Sequence, residues 1–197
     1  MGSGAGVEKS QTRQERRHHH IITRYFEIVN LYPKIEDPAL ARRIEEFTMS
    51  ASPEDLFRMQ ATVFEAGRRF MGGDPGWETI IKHLDGKSVG LAIGKEYAST
   101  VALEGGDFKL RMGIPDRSIP VFSVSSRKDY VDALLRRKDL VRMVLTGRLS
   151  ASHKFTLARW GLSFFQLLTD DELFEGLLAR WVDAEGILSD TLDSMGF

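Results

Sequence analysis

The chain has 197 residues, of which 42% are hydrophobic and 28% charged, with a formal net charge of −1 and no cysteine. These proportions are ordinary for a globular protein, and the lack of cysteine excludes disulfides, thiolate metal sites and a cysteine nucleophile. No apolar run approaches the roughly 18 residues of a membrane span, and the N-terminus lacks an apolar signal segment. We therefore predict a cytoplasmic protein built as one domain, or as one domain with an appendage.

The charges are distributed unevenly along the chain. Residues 1–76 carry eleven Lys/Arg and eleven Asp/Glu, residues 77–168 carry fifteen and nine, and residues 169–197 carry one and eight. Three interpretations are open: solvated surfaces that happen to segregate, an acidic tail that docks on the basic body, or a basic face that meets anionic lipid.

The first part of the chain is polar and then turns helical. Residues 1–13 are Gly/Ser-rich and are predicted to be disordered and tag-like. The run 18–20 is three histidines, and we interpret it as a tag remnant or exposed polar stretch because consecutive side chains diverge on a helix. Apolar residues between Ile21 and Val29 recur with helical spacing, which predicts a helix over 14–32 that ends before Pro33.

Two more helices are predicted before the middle of the chain. Asp37-Pro38 is a typical helix start, and Ser52-Pro53-Glu54-Asp55 combines a capping hydroxyl with acids that favour a helix N-terminus. The second of these helices ends at Met71-Gly72-Gly73-Asp74-Pro75-Gly76, the strongest breaker in the sequence. We place the main boundary there, so that 14–76 forms an N-terminal helical extension and 77–197 a second unit.

Beyond Trp77 the apolar residues alternate with a period of two, which is typical of strands. Three such runs lie close together, separated by the turn-like segments 94–97 and 104–107, and a fourth strand is predicted over about 120–125. The first three should form an antiparallel meander. Their alternating residues are Val89, Leu91 and Ile93, then Val101 and Leu103, then Phe108, Leu110 and Met112.

Helical signals return after residue 125. Ser126 can cap a helix that is interrupted over 136–138, and Gly147 closes a second short helix before a predicted strand at 148–153. Residues 155–168 are apolar almost all round, which predicts a helix covered by protein or by a ligand. Residues 170–188 form an amphipathic helical pattern, and this helix either acts as a lid over a cavity or completes the core.

The sequence lacks the motifs that usually carry catalysis, namely a Gly-rich phosphate loop, a nucleophile elbow and a metalloprotease helix. Ser152 and His153 are a Ser/His pair, but adjacent residues on a strand point to opposite faces. We therefore predict no enzymatic activity, no cofactor and no metal.

Basic residues concentrate between 127 and 148. The cluster is interpreted as a solvated helix face or as a contact with an anionic membrane, while nucleic acid is disfavoured because no aromatic platform accompanies it. Its members are Arg127, Lys128, Arg136, Arg137, Lys138, Arg142 and Arg148.

Two stretches, 121–130 (VFSVSSRKDY) and 143–151 (MVLTGRLSA), together with the order of elements over 77–168, resemble the sterol carrier protein type 2 family. The first looks like the family's strand running into a helix that starts Ser–x–x–Asp, and the second like its Gly–Lys/Arg–Leu entry to the fifth strand. The chain departs from the family at Ser152-His153, where Gly-Asp is common, and at 136–138, where Gly is common.

The resemblance implies an α+β fold in which helices cover a five-stranded, mostly antiparallel sheet around a hydrophobic tunnel. It implies binding and transfer of fatty acyl chains, sterol-like lipids or other hydrophobic small molecules. An accessory module that presents a hydrophobic substrate to a partner enzyme is a second hypothesis, and a regulatory homodimer through the N-terminal helices is a third. The candidate lining residues are Phe108, Leu110, Met112, Phe122, Val124, Leu134, Val144, Leu162 and Phe165.

Overall fold

A computed structural model describes residues 35–161 and 184–197, and these form an α+β arrangement of seven helices and one five-stranded sheet. The predicted helix over 14–32, half of that over 155–168 and most of that over 170–188 lie outside the described residues. The elements in chain order are α1 (Pro38–Ser50), α2 (Pro53–Met71), α3 (Pro75–Leu84), β1 (Ser88–Ile93), β2 (Tyr97–Glu104), β3 (Asp107–Met112), β4 (Val121–Val124), α4 (Arg127–Leu134), α5 (Leu140–Leu145), β5 (Leu149–Ala151), α6 (Lys154–Gly161) and α7 (Ala184–Ser194).

The first three helices begin in the same way, with a capping side chain followed by proline. The side chains of Asp37, Ser52 and Asp74 accept hydrogen bonds from backbone N–H groups in the first turns of α1, α2 and α3. The predicted starts of α1 and α2 are confirmed. Helix α3 is not among the predicted helices, because Asp74-Pro75 lies within the breaker at 71–76, although it repeats the Asp37-Pro38 start.

The sheet has the strand order β3-β2-β1-β4-β5. Three of its pairs are antiparallel and the β1–β4 pair is parallel, which confirms the predicted mostly antiparallel sheet. The meander of the first three strands is confirmed, although Tyr97, expected in a turn, is the first residue of β2. Gly105 and Gly106 adopt positive φ angles of 62° and 83° and so allow the tight link between β2 and β3.

The hydrophobic core joins helices from both sides of the predicted boundary at 71–76. Helix α1 packs on α4 and α7, and α2 packs on α7, β2 and β3. The central side chains of this core are buried and come from α1, the sheet, α4 and α7: Leu40, Ile44, Phe47, Ile93, Tyr97, Val131, Leu188 and Leu192. The described part of the predicted N-terminal extension therefore belongs to the same core as the sheet.

None of the helices in the described ranges is long and apolar enough to cross a membrane.

Candidate functional site

Five of the nine predicted lining residues lie on one face of the sheet, which we call the apolar face. The register pairs Leu103 with Phe108 and Val101 with Leu110, and directly paired residues share a face. One row crosses all five strands on this face and consists of Met112, Ser99, Leu91, Phe122 and Ala151. The adjoining row places Val124 between Ile93 and Leu149.

Helices cover the β2–β3 side of the apolar face. The Phe108 ring contacts Phe64 of α2 and Trp77 of α3, with ring centroids 5.5 and 5.7 Å away. Val101 and Leu103 are buried here, while Phe108 and Leu110 are half-buried. This part of the face is packed as a protein interior.

Two apolar members of the row that crosses the sheet are accessible. Met112 is 47% exposed on β3 and Phe122 is 42% exposed on β4, whereas Ser99 between them is fully buried. Since neighbouring strands lie about 4.8 Å apart, these side chains are about 14 Å from each other across three strand spacings. Apolar surface of two predicted lining residues is therefore open to contact within one row.

A polar bridge crosses between α2 and the middle of the apolar face. Gln60 Oε1 accepts hydrogen bonds from the Tyr97 hydroxyl and from Ser99 Oγ, the latter at 2.7 Å. Burial raises the pKa of the Tyr97 hydroxyl, and the neighbouring Ser99 hydroxyl partly opposes that shift. No local sequence pattern indicates this bridge, because Gln60 is 37 residues from Tyr97.

The remaining predicted lining residues are dispersed. Leu134 is half-buried and packs against the core described above. Val144 lies on α5 and is more than half exposed. Leu162 and Phe165 fall outside the described residues.

An open groove of about 460 Å³ lies elsewhere, between the end of α1 and the start of α4. Its lining comprises Met49, Ser50, Ala51, Glu96, Ser126, Arg127 and Lys128, none of them a predicted lining residue. Arg127 dominates this groove, because its guanidinium donates to the carbonyls of Thr48 at 3.1 Å and Ala51 at 2.6 Å. Arg127 thus satisfies the free carbonyls at the C-terminus of α1, which is a structural role.

The Ser–x–x–Asp start of α4 forms the centre of a charge network. Asp129 is buried and accepts hydrogen bonds from Ser125, Ser126, Arg148 at 2.8 Å and Lys138 at 3.1 Å. The Ser125 hydrogen bond lowers the pKa of the Asp129 carboxyl most, burial opposes it, and Arg148 and Lys138 lower it further. The network therefore ties α4 to the turn at 136–138 and to the start of β5.

The adjacent Ser152 and His153 do not point to opposite faces as predicted. Strand β5 ends at Ala151, His153 has a positive φ of 49°, and His153 Nδ1 lies 3.1 Å from Ser152 Oγ. The same oxygen accepts a hydrogen bond from the backbone N–H of Val121 at 2.8 Å. Both side chains are exposed, and the contact with Val121 gives Ser152 a role in closing the β4–β5 edge.

Among the described residues, no three His, Asp or Glu side chains converge to hold a metal ion. Comparison of the sequence with protein-family models and with curated proteins finds no match. The likeness to the sterol carrier family over 77–168 therefore stays a prediction.

Proposed function

We propose that this chain binds lipids or other hydrophobic small molecules, such as fatty acyl chains or sterol-like molecules, and transfers them without chemical conversion. The observation that carries the proposal is the accessible apolar surface of Met112 and Phe122 on the same sheet face as buried Ile93, Val101 and Val124. The predicted tunnel is part of this proposal.

The energetics of such binding follow from the apolar face. Covering apolar surface contributes about 25 cal/mol per Å², and this contribution has no direction. Broad selectivity for molecules of similar shape is therefore expected. The polar groups at the middle of the row, Ser99 and the Gln60 side chain above it, already bond each other, so they give little orientation to a ligand.

Polar side chains of the kind that catalysis uses bond other groups of the protein here, which supports a binding role. Ser152 accepts from a backbone N–H, and His83 Nδ1 lies 2.8 Å from the Thr79 carbonyl one helical turn away. The buried Asp129 is surrounded by donors that fix its negative charge. A general base would need a free lone pair directed at a substrate.

Mass spectrometry of organic extracts from the purified full chain tests the proposal. We expect a family of hydrophobic compounds at a substantial fraction of the protein concentration. A single compound would favour the accessory module that serves one enzyme. Extracts without any hydrophobic compound, combined with no binding of a fluorescent fatty acid or sterol by the same protein, would refute the proposal.

A variant pair locates the site. Phe122→Gln removes the accessible ring, and Met49→Gln makes a similar change at a similarly exposed residue of the groove at α1. Because 42% of the Phe122 side chain is exposed and available for a ligand to cover, Phe122→Gln should weaken binding of the fluorescent ligand about fivefold. Met49→Gln should leave the affinity unchanged, and the opposite result would place the ligand in the groove.

A further inference from the structure

The segment 140–161 contains no Asp or Glu but carries Arg142, Arg148, Lys154 and Arg159. It comprises α5, β5 and α6 and follows the acidic N-cap Asp139, whose carboxylate accepts the backbone N–H of Arg142 at 2.8 Å. A stretch of 22 residues without a carboxylate is unusual in a chain that is 28% charged and nearly neutral.

Three of the five apolar side chains of α5 are exposed. Met143 is buried, but Val141, Val144 and Leu145 are all more than half exposed, and Leu145 reaches 82%. These three residues are spaced i, i+3 and i+4, so they form one stripe on the outer side of the helix. An ordinary surface helix turns such a stripe towards the core.

The first turn of α6 repeats this arrangement. Phe155 is 94% exposed, and none of the side chains of α6 is buried. Lys154 precedes it and Arg159 follows one turn later, and both are exposed. We name the exposed members of the segment the 140–161 surface: Val141, Arg142, Val144, Leu145, Lys154, Phe155 and Arg159.

We propose that the 140–161 surface docks on an anionic lipid bilayer. Its large apolar side chains are of the kind that enter the boundary between headgroups and acyl chains, and its unbalanced positive charge complements acidic headgroups. The positive charge and the exposed apolar side chains lie in one short segment of the chain, which favours a bilayer over a neutral apolar partner. This inference goes beyond ligand binding, because it uses no residue of the apolar face.

Vesicle co-sedimentation of the full chain tests the docking directly. Binding to phosphatidylcholine vesicles that contain phosphatidylserine should exceed binding to pure phosphatidylcholine vesicles and should fall as salt is raised. Arg142→Gln, Lys154→Gln and Arg159→Gln should each weaken binding about fivefold, and the triple variant that combines them should lose more than any single one. Leu145→Ser and Phe155→Ser should each weaken it about tenfold.

A matched control distinguishes an effect of the 140–161 surface from an effect of the protein's net charge. The control is a triple variant that combines Lys82→Gln, Lys95→Gln and Arg117→Gln, three exposed basic residues outside the segment. Its vesicle binding should stay within about twofold of that of the unsubstituted chain. Equal losses in the two triple variants, or no preference for phosphatidylserine, would overturn the proposal. So would a Leu145→Ser variant that keeps vesicle binding but changes a dimer into a monomer, since a second copy would then occupy the stripe. Circular dichroism checks that each variant is folded. Lipid extracted from each variant is measured in parallel, so that a loss of vesicle docking can be distinguished from a loss of ligand binding.

Discussion

Replacing Asp129 with asparagine should destabilise the protein more than any other single change of charge in the described residues. The carboxylate is buried and receives four side-chain donors, two from serines and two from the cations Lys138 and Arg148. Removing one partner of a buried charged network typically costs 3–5 kcal/mol. Because Lys138 and Arg148 are 34% and 51% exposed and are partly screened, we expect a loss of about 3 kcal/mol in the free energy of unfolding.

The effect should depend on pH with a definite sign. The pKa of the Asp129 carboxyl is lowered in the folded state from its ordinary value of 3.8. Its contribution is therefore complete above that ordinary pKa and is lost as the pH falls towards the folded value. The difference between the native chain and Asp129→Asn should be constant near neutrality and should shrink on acidification below about pH 4.

Urea unfolding followed by tryptophan fluorescence measures the loss in the free energy of unfolding and its dependence on pH. Asp107→Asn is the matched control, because Asp107 is exposed and pairs with Arg68 at 3.3 Å on the surface. The control should change the unfolding midpoint little, since exposed ion pairs contribute little. Equal losses for the two variants, or a difference that grows on acidification, would refute the network as a stabilising element.

Three further changes test other contacts. Arg127→Lys removes the guanidinium that donates to the C-terminal carbonyls of α1 and should lower the free energy of unfolding by about 1–2 kcal/mol. Denaturant titration measures this loss, and Lys128→Gln is the control that should leave the free energy of unfolding unchanged. Gly90→Ala places a Cβ 2.5 Å from Ile114 Cδ1 and should cost about 1–2 kcal/mol, a loss that Ile114→Val should partly reverse in a double-mutant cycle. Tyr97→Phe removes one of two donors to Gln60 Oε1 and should lower the free energy of unfolding by about 1 kcal/mol. An unchanged melting temperature would show that the hydrogen bond from Tyr97 to Gln60 does not stabilise the fold.

The parts of the fold that depend on local chemistry were predictable. The starts of α1, α2 and α4 follow from Asp37, Ser52 and Ser126, whose side chains cap the first turn in the structure as the sequence indicated. The alternation in β3 places Phe108 and Met112 on one face, because a strand has a period of two. Alternation alone leaves open how deeply each residue is covered, and here Met112 is far more exposed than its neighbours in β2.

The missed features depend on contacts between distant residues or on where an element stops. Asp129 meets Lys138 and Arg148, which lie nine and nineteen residues further along, and no local pattern pairs them. The prediction for Ser152 and His153 assumed that β5 continued to residue 153. The strand ends two residues earlier, so the backbone turns and brings the two side chains together.

The basic cluster between 127 and 148 separates in the structure into residues that hold the fold and residues that remain on the surface. Arg127, Arg137, Lys138 and Arg148 bond carboxylates or helix-terminal carbonyls, so much of their charge is used within the protein. Arg142 belongs with Lys154 and Arg159 on the 140–161 surface instead. Salt screens the exposed cations of the 140–161 surface more than cations that are bonded within the protein, so raising the ionic strength should release the chain from anionic vesicles while it stays folded. If the protein unfolds and leaves the vesicles at the same salt concentration, the cations that hold the fold and the cations on the 140–161 surface do not have separate roles.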